Sequence, residues 1–283
     1  MAHPDFHRPV SVDEAVALLA ANPDAKPIAG GATLVAMLNA RVIEPPALVS
    51  VAGIPELQGI SVLGDGRVRI GAFTRHRDTA ASNHLVGTLA VVRHAAAQIA
   101  NATVRNMGTI GGSIAFADPG LDYPPALVAA GAEIQIAGPA GRRTVAARDF
   151  FVDWYLTALE PAEIVTAVVL PAPDAAGNGV YVKHARVAGD YATASVACVR
   201  HGDGRIRVAV GACGPTPLAD DGADALLHAG AGDDAVNRAG AALQAIADPL
   251  DDVRGSADYR RTLIPRLLQR AVRAVTTDRG VPA

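Results

Sequence analysis

Lysine is almost missing from this 283-residue chain: only Lys26 and Lys183 occur, and arginine supplies the rest of the positive charge. With a net charge of −3 there is no basic face or stripe of the kind nucleic acid needs. Cysteine is nearly as scarce. Two thiols, Cys198 and Cys213, cannot furnish the four ligands of an iron–sulfur cluster, nor a structural zinc set. Both sit in apolar, strand-like runs and read as small core residues in a reducing compartment. An iron–sulfur centre working with this protein must therefore belong to another chain. No apolar run approaches the roughly 20 residues of a membrane span. The start, Met1-Ala2-His3-Pro4-Asp5, lacks the basic stretch and apolar core of a signal peptide. These absences lead us to expect a soluble, cytoplasmic protein.

What the chain has is apolar content, at 50% of residues, enough for a large core divided among two or three packed units. Ser11-Val12-Asp13-Glu14 reads as a capping box, with Glu14 reaching back to the Ser11 amide. The helix after it places Val12, Ala15, Val16 and Leu19 on one face. A short strand over 26–29, a helical pattern over 33–41 and a strand over 48–52 make residues 1–56 a small α/β unit. A second unit, 57–173, opens with a hairpin around Gly64-Asp65-Gly66. Helical patterns at 75–82 and 88–100 follow, then a glycine-rich interruption at 108–113. A helix from Pro124 to Ala130 and strands at 132–137 and 163–170 complete the unit. Beyond Pro171-Ala172-Pro173, residues 174–283 hold three alternating β runs that fit an antiparallel meander, and then helices. Pro265 should kink or restart the last of these.

Two glycine pairs carry most of the functional information. Ala29-Gly30-Gly31-Ala32-Thr33-Leu34 lies between a strand and a helix, and Gly108-Thr109-Ile110-Gly111-Gly112-Ser113 follows a helical segment. Backbone without side chains can approach an anion closely, and successive amides can be aimed at one diphosphate. A following helix adds its positive N-terminal end. Either pair alone reads as a tight turn; both together, each beside hydroxyls, favour a dinucleotide clasp. Neither forms a Rossmann or P-loop motif. Other groupings are weaker. Asp118 and Asp122 suggest paired carboxylates, but Asp118 beside Pro119 reads as a helix cap. Gly111 to Ala115 lacks the final glycine of a serine nucleophile elbow. His3 and His7 have no third ligand, and His76, His84 and His94 carry no pattern. Trp154 and Tyr155 read as core or partner-interface aromatics.

The stretch Val104-Arg105-Asn106-Met107-Gly108-Thr109-Ile110-Gly111-Gly112-Ser113, continuing through Asp118-Pro119 to Asp122 and Pro124-Pro125-Ala126-Leu127, resembles the second FAD loop of the molybdenum hydroxylase flavoproteins. That family includes the medium subunit of aerobic carbon monoxide dehydrogenase and the flavin domain of xanthine dehydrogenase. Residues 29–34 resemble its first loop. Lys183-His184-Ala185-Arg186 with Gly189-Asp190-Tyr191-Ala192 is similar to the turn opening its C-terminal domain, and Asp258-Tyr259-Arg260-Arg261 is similar too. The resemblance implies an α+β protein. Two α/β FAD-binding subdomains of vanillyl-alcohol-oxidase type would precede a three-stranded C-terminal domain covering the flavin.

It also implies roles. Ala29, Gly30, Gly31, Ala32, Thr33 and Leu34, with Thr109, Ile110, Gly111, Gly112 and Ser113, would contact the diphosphate and nearby sugar groups of non-covalent FAD. Asp122 would bond a sugar or ribityl hydroxyl. Val165 would line the isoalloxazine pocket, Lys183 would lie near the ring, and Tyr191 would approach its face. Three positions depart from the family pattern: Asn101 stands where many relatives have histidine, Met107 replaces a common arginine, and Ala32-Thr33 replaces a usual polar pair. The implied activity is electron transfer from a small iron–sulfur subunit, fed by a large molybdopterin subunit, to a final acceptor. The implied assembly is a dimer of heterotrimers. A self-sufficient flavin oxidase or dehydrogenase, and a scaffold subunit without cofactor, remain the alternatives.

Overall fold

The computed structural model describes residues 4–277; His3, and with it the His3–His7 pair, lies outside the described residues. The chain opens with β1 (Asp5–His7), α1 (Val12–Ala21), β2 (Lys26–Ile28), α2 (Leu34–Asn39) and β3 (Ala47–Ser50). The three strands pair in parallel in the order β1-β3-β2. Helix α1 buries Val12, Ala15, Val16 and Leu19, the face expected from their spacing. Its start differs in one detail. Ser11 Oγ accepts from the Glu14 amide at 3.2 Å, but the Glu14 carboxylate reaches one residue further back, to the Val10 amide at 2.8 Å.

The second unit holds β4 (Ile60–Val62), β5 (Val68–Gly71), α3 (His76–Ala80), α4 (Ala90–Ala97), α5 (Ala102–Met107), α6 (Ile110–Phe116) and α7 (Tyr123–Ala130). It continues through β6 (Glu133–Gly138), β7 (Gly141–Ala146), α8 (Ala147–Phe150), β8 (Phe151–Asp153), β9 (Leu156–Thr157) and β10 (Ile164–Leu170). A five-stranded antiparallel sheet, β4-β5-β10-β6-β7, carries the helices. The register of β10 on β6 shifts between Val165 and Ala167, a bulge that places an extra residue in β10. Helix α7 is buried on every side, so it forms the centre of the core rather than a surface layer. Pro124 and Pro125 sit in its first turn, where their missing N–H groups cost nothing, and Gly131 ends it at φ 67°. The glycine-rich stretch is not the loop the sequence suggested. Gly111 and Gly112 lie in the first turn of α6, capped by Thr109 Oγ1 accepting from the Gly112 amide at 3.2 Å.

The C-terminal part contains β11 (Asn178–His184), β12 (Ala194–Arg200) and β13 (Ile206–Gly211), then α9 (Asp221–Leu226), α10 (Asp233–Ala245) and α11 (Ala257–Thr276). The strands form the expected antiparallel meander, β11-β12-β13. Helix α11 is unbroken through Pro265, contrary to the expected restart. Its buried face, with Leu263, Ile264, Leu267 and Leu268, packs into the C-terminal core on either side of the proline. Pro265 itself lies against Gly240 of α10, which lets the two helices close up. Each buried Leu, Ile or Val contributes about 1.5–3 kcal/mol, enough to hold both turns despite one missing hydrogen bond. Buried apolar side chains form three clusters: one around α1 and β3, one around α7 and the antiparallel sheet, and one between the meander and α10–α11. Among the described residues no helix is long and apolar enough to cross a membrane.

Candidate functional site

Where these parts meet there is a cleft of about 480 Å³. That lies within the roughly 300–1,000 Å³ usual for small-molecule and cofactor sites. Its first wall is the β2–α2 turn. Ala29, Gly30, Gly31, Ala32, Thr33 and Leu34 all line the cleft. The turn's carbonyls feed the helix, with the Val35 amide donating to Gly31 O at 3.0 Å and the Met37 amide to Thr33 O at 3.1 Å. Its own amides do not share in this. Among the described residues, the N–H groups of Gly30, Gly31, Ala32, Thr33 and Leu34 have no hydrogen-bond acceptor. A run of unbonded amides at the head of a helix is a site for an anion. Gly31 has φ +76°, a left-handed conformation that glycine adopts without strain.

The second wall is the start of α6, and it works differently. The Ile110 amide donates to Thr74 O at 3.0 Å and the Gly111 amide to Ala72 O at 2.9 Å. The Gly112 amide is taken by the Thr109 hydroxyl, and the Ser113 amide by Thr109 O at 3.0 Å. These amides are committed to the protein, so this segment does not offer the second set of free donors expected of it. Its glycines serve close packing instead. A Cβ on Gly111 would lie 2.6 Å from Ala72 Cβ and 2.8 Å from Ala72 O. A Cβ on Gly112 would meet only Thr109 Oγ1 at 3.0 Å and Ala29 Cβ at 3.8 Å, and would otherwise enter the cleft. Thr109, Gly111, Gly112 and Ser113 line the cleft, whereas Ile110 is fully buried and points into the core. The two walls touch: a Cβ on Gly30 would land on the Met107 carbonyl, so the absence of a side chain there brings them together.

Asp122 and Val165 also line the cleft. Both Asp122 oxygens are engaged. Lys183 Nζ stands 2.9 Å from Oδ1 and 3.1 Å from Oδ2, and the Tyr181 hydroxyl donates to Oδ1 at 2.7 Å. Burial raises the Asp122 pKa, opposed by the Lys183 charge and by both hydrogen bonds. Lys183 also donates to Gln98 O at 3.2 Å and is not itself at the cleft wall. It stands behind Asp122. Ile164 lines the cleft beside Val165.

A turn from the C-terminal part covers one side. Gly189, at φ +83°, packs so closely that a Cβ would approach Ala100 O to 2.6 Å. Arg105 holds the Ile99 and Ala100 carbonyls in place at 2.8 Å each. Tyr191 lines the cleft with the Arg254 guanidinium 4.8 Å above its ring. Asp190 is held low in pKa by the hydrogen bond from Arg186. Asp118 does not cap a helix start. Its Oδ1 accepts from the Gly120 amide at 2.8 Å and its Oδ2 from the Tyr155 hydroxyl at 3.2 Å. His76 also lines the cleft, and nothing in its sequence context signals this.

The pattern described as the FAD binding domain in molybdopterin dehydrogenase matches residues 2–173, and that of the CO dehydrogenase flavoprotein C-terminal domain matches residues 180–275. The chain belongs to this flavoprotein family. It is 40% identical to the carbon monoxide dehydrogenase medium chain of Hydrogenophaga pseudoflava, covering 95% of this chain and 96% of that one. Identity to the medium chain from Afipia carboxidovorans is 38%, covering 95% of each. Among solved structures, carbon monoxide dehydrogenase from Hydrogenophaga pseudoflava matches with a TM-score of 0.92, covering 97% of each chain.

The geometry fits the family's cofactor. Unbonded amides at residues 30–34 suit a diphosphate, and an apolar wall that includes Val165 and Ile164 suits a ring system. Two of the positions that depart from the family pattern have local structural roles here. Asn101 caps α5 by accepting from the Val104 amide at 3.0 Å. Met107 meets Gly30 through its carbonyl, a contact any side chain would permit.

Proposed function

We propose that this chain is the FAD-binding electron-transfer subunit of a molybdenum-hydroxylase-type oxidoreductase. It would stand between a small iron–sulfur subunit, itself fed by a large molybdopterin subunit, and a final acceptor. The observation carrying this reading is the row of unbonded amides from Gly30 to Leu34, in a turn that lines the cleft opposite the glycine start of α6. Residues 1–56 and 57–173 would act as the two FAD-binding subdomains and 174–283 as the covering domain. When bound, FAD supplies a group able to take electrons singly and give them up in pairs.

The chain's own residues would hold and shield it. The amides of residues 30–34 would neutralise the diphosphate, with the Thr33 hydroxyl beside them. Thr109, Gly111, Gly112 and Ser113 would give it a close-fitting floor, and buried Ile110 would fix that floor to the core. Asp122, held in place by Lys183 and Tyr181, has lone pairs left to accept from a sugar or ribityl hydroxyl. Val165 would exclude water from the ring, and Tyr191 would cover a face. The described thiols, Cys198 and Cys213, are both free and buried, which suits the cytoplasm. They leave the clusters to a partner, and we place the assembly as a dimer of heterotrimers.

The test is to purify the chain together with the subunits that accompany it, remove the flavin and titrate FAD back while recording the visible spectrum. Stoichiometric yellow protein that needs its partners to oxidise any substrate is expected. Flavin reduction by a small molecule with this chain alone would favour a self-sufficient oxidase. No FAD uptake under any condition would leave a scaffold subunit.

A further inference from the structure

His76 opens α3 at the wall of the cleft and is only 4% exposed. Its Nδ1 lies 3.2 Å from the hydroxyl of Tyr123, whose side chain is fully buried. That hydroxyl can donate to Nδ1 when the imidazole carries its own proton on Nε2. The nearby Thr79 hydroxyl spends its own proton on Arg75 O at 3.3 Å. With Tyr123 donating to Nδ1, that nitrogen is bare and the neutral imidazole carries its proton on Nε2. Burial, with the Arg105 charge second, pushes the His76 pKa down to about 4, so the ring is neutral near pH 7.

The Nε2 end stands over Gly108, where a Cβ would collide with it. Among the described residues Nε2 has no hydrogen-bond partner, yet it is not among the sealed polar atoms, so it opens to the cleft. A nearly buried side chain thus points one unmatched donor at the place where Gly30 meets Gly108. Leaving such a donor unbonded is costly, which favours a ligand that satisfies it.

We propose that His76, locked by Tyr123 as the neutral Nε2–H tautomer, is a further cofactor-binding residue that donates to an oxygen of FAD. The inference rests on the flavin reading above and adds a donor from a third segment to the two glycine walls. Titration of the flavin-free full chain with FAD, followed by flavin fluorescence, tests it. His76→Phe keeps the ring volume without a donor and should weaken binding by about ten- to a hundredfold, as for a hydrogen bond to a charged acceptor. His76→Gln restores an N–H donor and should recover most of that loss. Equal affinity of wild type and His76→Phe overturns the proposal.

A second measurement needs no variant. Nitrogen-15 spectra of the wild-type chain should show a protonated Nε2 and a bare Nδ1, with the Nε2 resonance moving when FAD is added. A protonated Nδ1, or an Nε2 indifferent to FAD, overturns it. Wild type that takes up no FAD overturns both readings, whereas wild type that binds FAD with an indifferent His76 overturns only this one.

Discussion

Adding side chains at the adjacent Gly111 and Gly112 should separate folding from cofactor retention. A Cβ at Gly111 would press on Ala72 at 2.6 Å to Cβ, 2.8 Å to O and 3.0 Å to Cα. Ala72 cannot yield easily, because its carbonyl accepts from Gly111 at 2.9 Å and its amide donates to Thr166 O at 3.0 Å. Overpacking of this kind costs about 1–3 kcal/mol and a strained hydrogen bond about 1 more, against a gain of about 1 from replacing a helical glycine with alanine. Gly111→Ala should therefore lose roughly 2 kcal/mol of stability. At Gly112 the added atoms meet only Thr109 Oγ1 at 3.0 Å and Ala29 Cβ at 3.8 Å. Disturbing that cap costs about 1 kcal/mol, and the helix regains about half of it when glycine becomes valine. Gly112→Val should stay within about 1 kcal/mol of wild type, yet fill the cleft and abolish FAD uptake. Denaturant unfolding of the flavin-free protein and FAD titration read the two effects separately. A fully stable Gly111→Ala, or a Gly112→Val that binds FAD normally, would refute the packing argument.

Three further outcomes are expected. Lys183→Met leaves Asp122 buried without its cation and should cost about 3–5 kcal/mol in thermal or denaturant unfolding, most of it regained in the double variant with Asp122→Asn. The His76 pKa falls from 6.5 in the unfolded chain to about 4 when folded, so its contribution is complete above pH 6.5 and declines as the pH drops towards 4. Comparing wild type with His76→Gln at pH 7 and pH 4.5 should show an extra loss of about 2–3 kcal/mol in wild type, and parallel curves would contradict it. Asn101→Ala removes the α5 cap and should cost about 1 kcal/mol, with FAD affinity little changed.

Elements whose reason lies within a few residues were legible in the sequence. Helix α1, the β4–β5 hairpin, α7 and the C-terminal meander all follow local periodicity, turn residues or caps. Strand β7 escaped notice because it is polar and largely exposed, and β1 because three residues acquire strand form only beside β3. Within the site, the glycine pairs marked the right segments but not what their amides do. That depends on Ala72 and Thr74, residues just past the end of β5 and nearly forty positions away in sequence from Gly111 and Ile110. His76 was silent for the same reason, since its hydrogen-bond partner, Tyr123, comes from another helix. The scarcity of lysine drew attention to Lys183, but only the packed structure put Asp122 between it and the cleft.

The Lys183–Asp122 pair joins a strand of the meander to the residue that opens α7, with both side chains less than a tenth exposed. Sliding the last third of the chain away from the rest would strand an ammonium and a carboxylate in apolar surroundings, or require water to flood the seam before they part. That region therefore behaves as a fixed wall and not as a door. A dinucleotide entering or leaving must therefore pass elsewhere than through this seam.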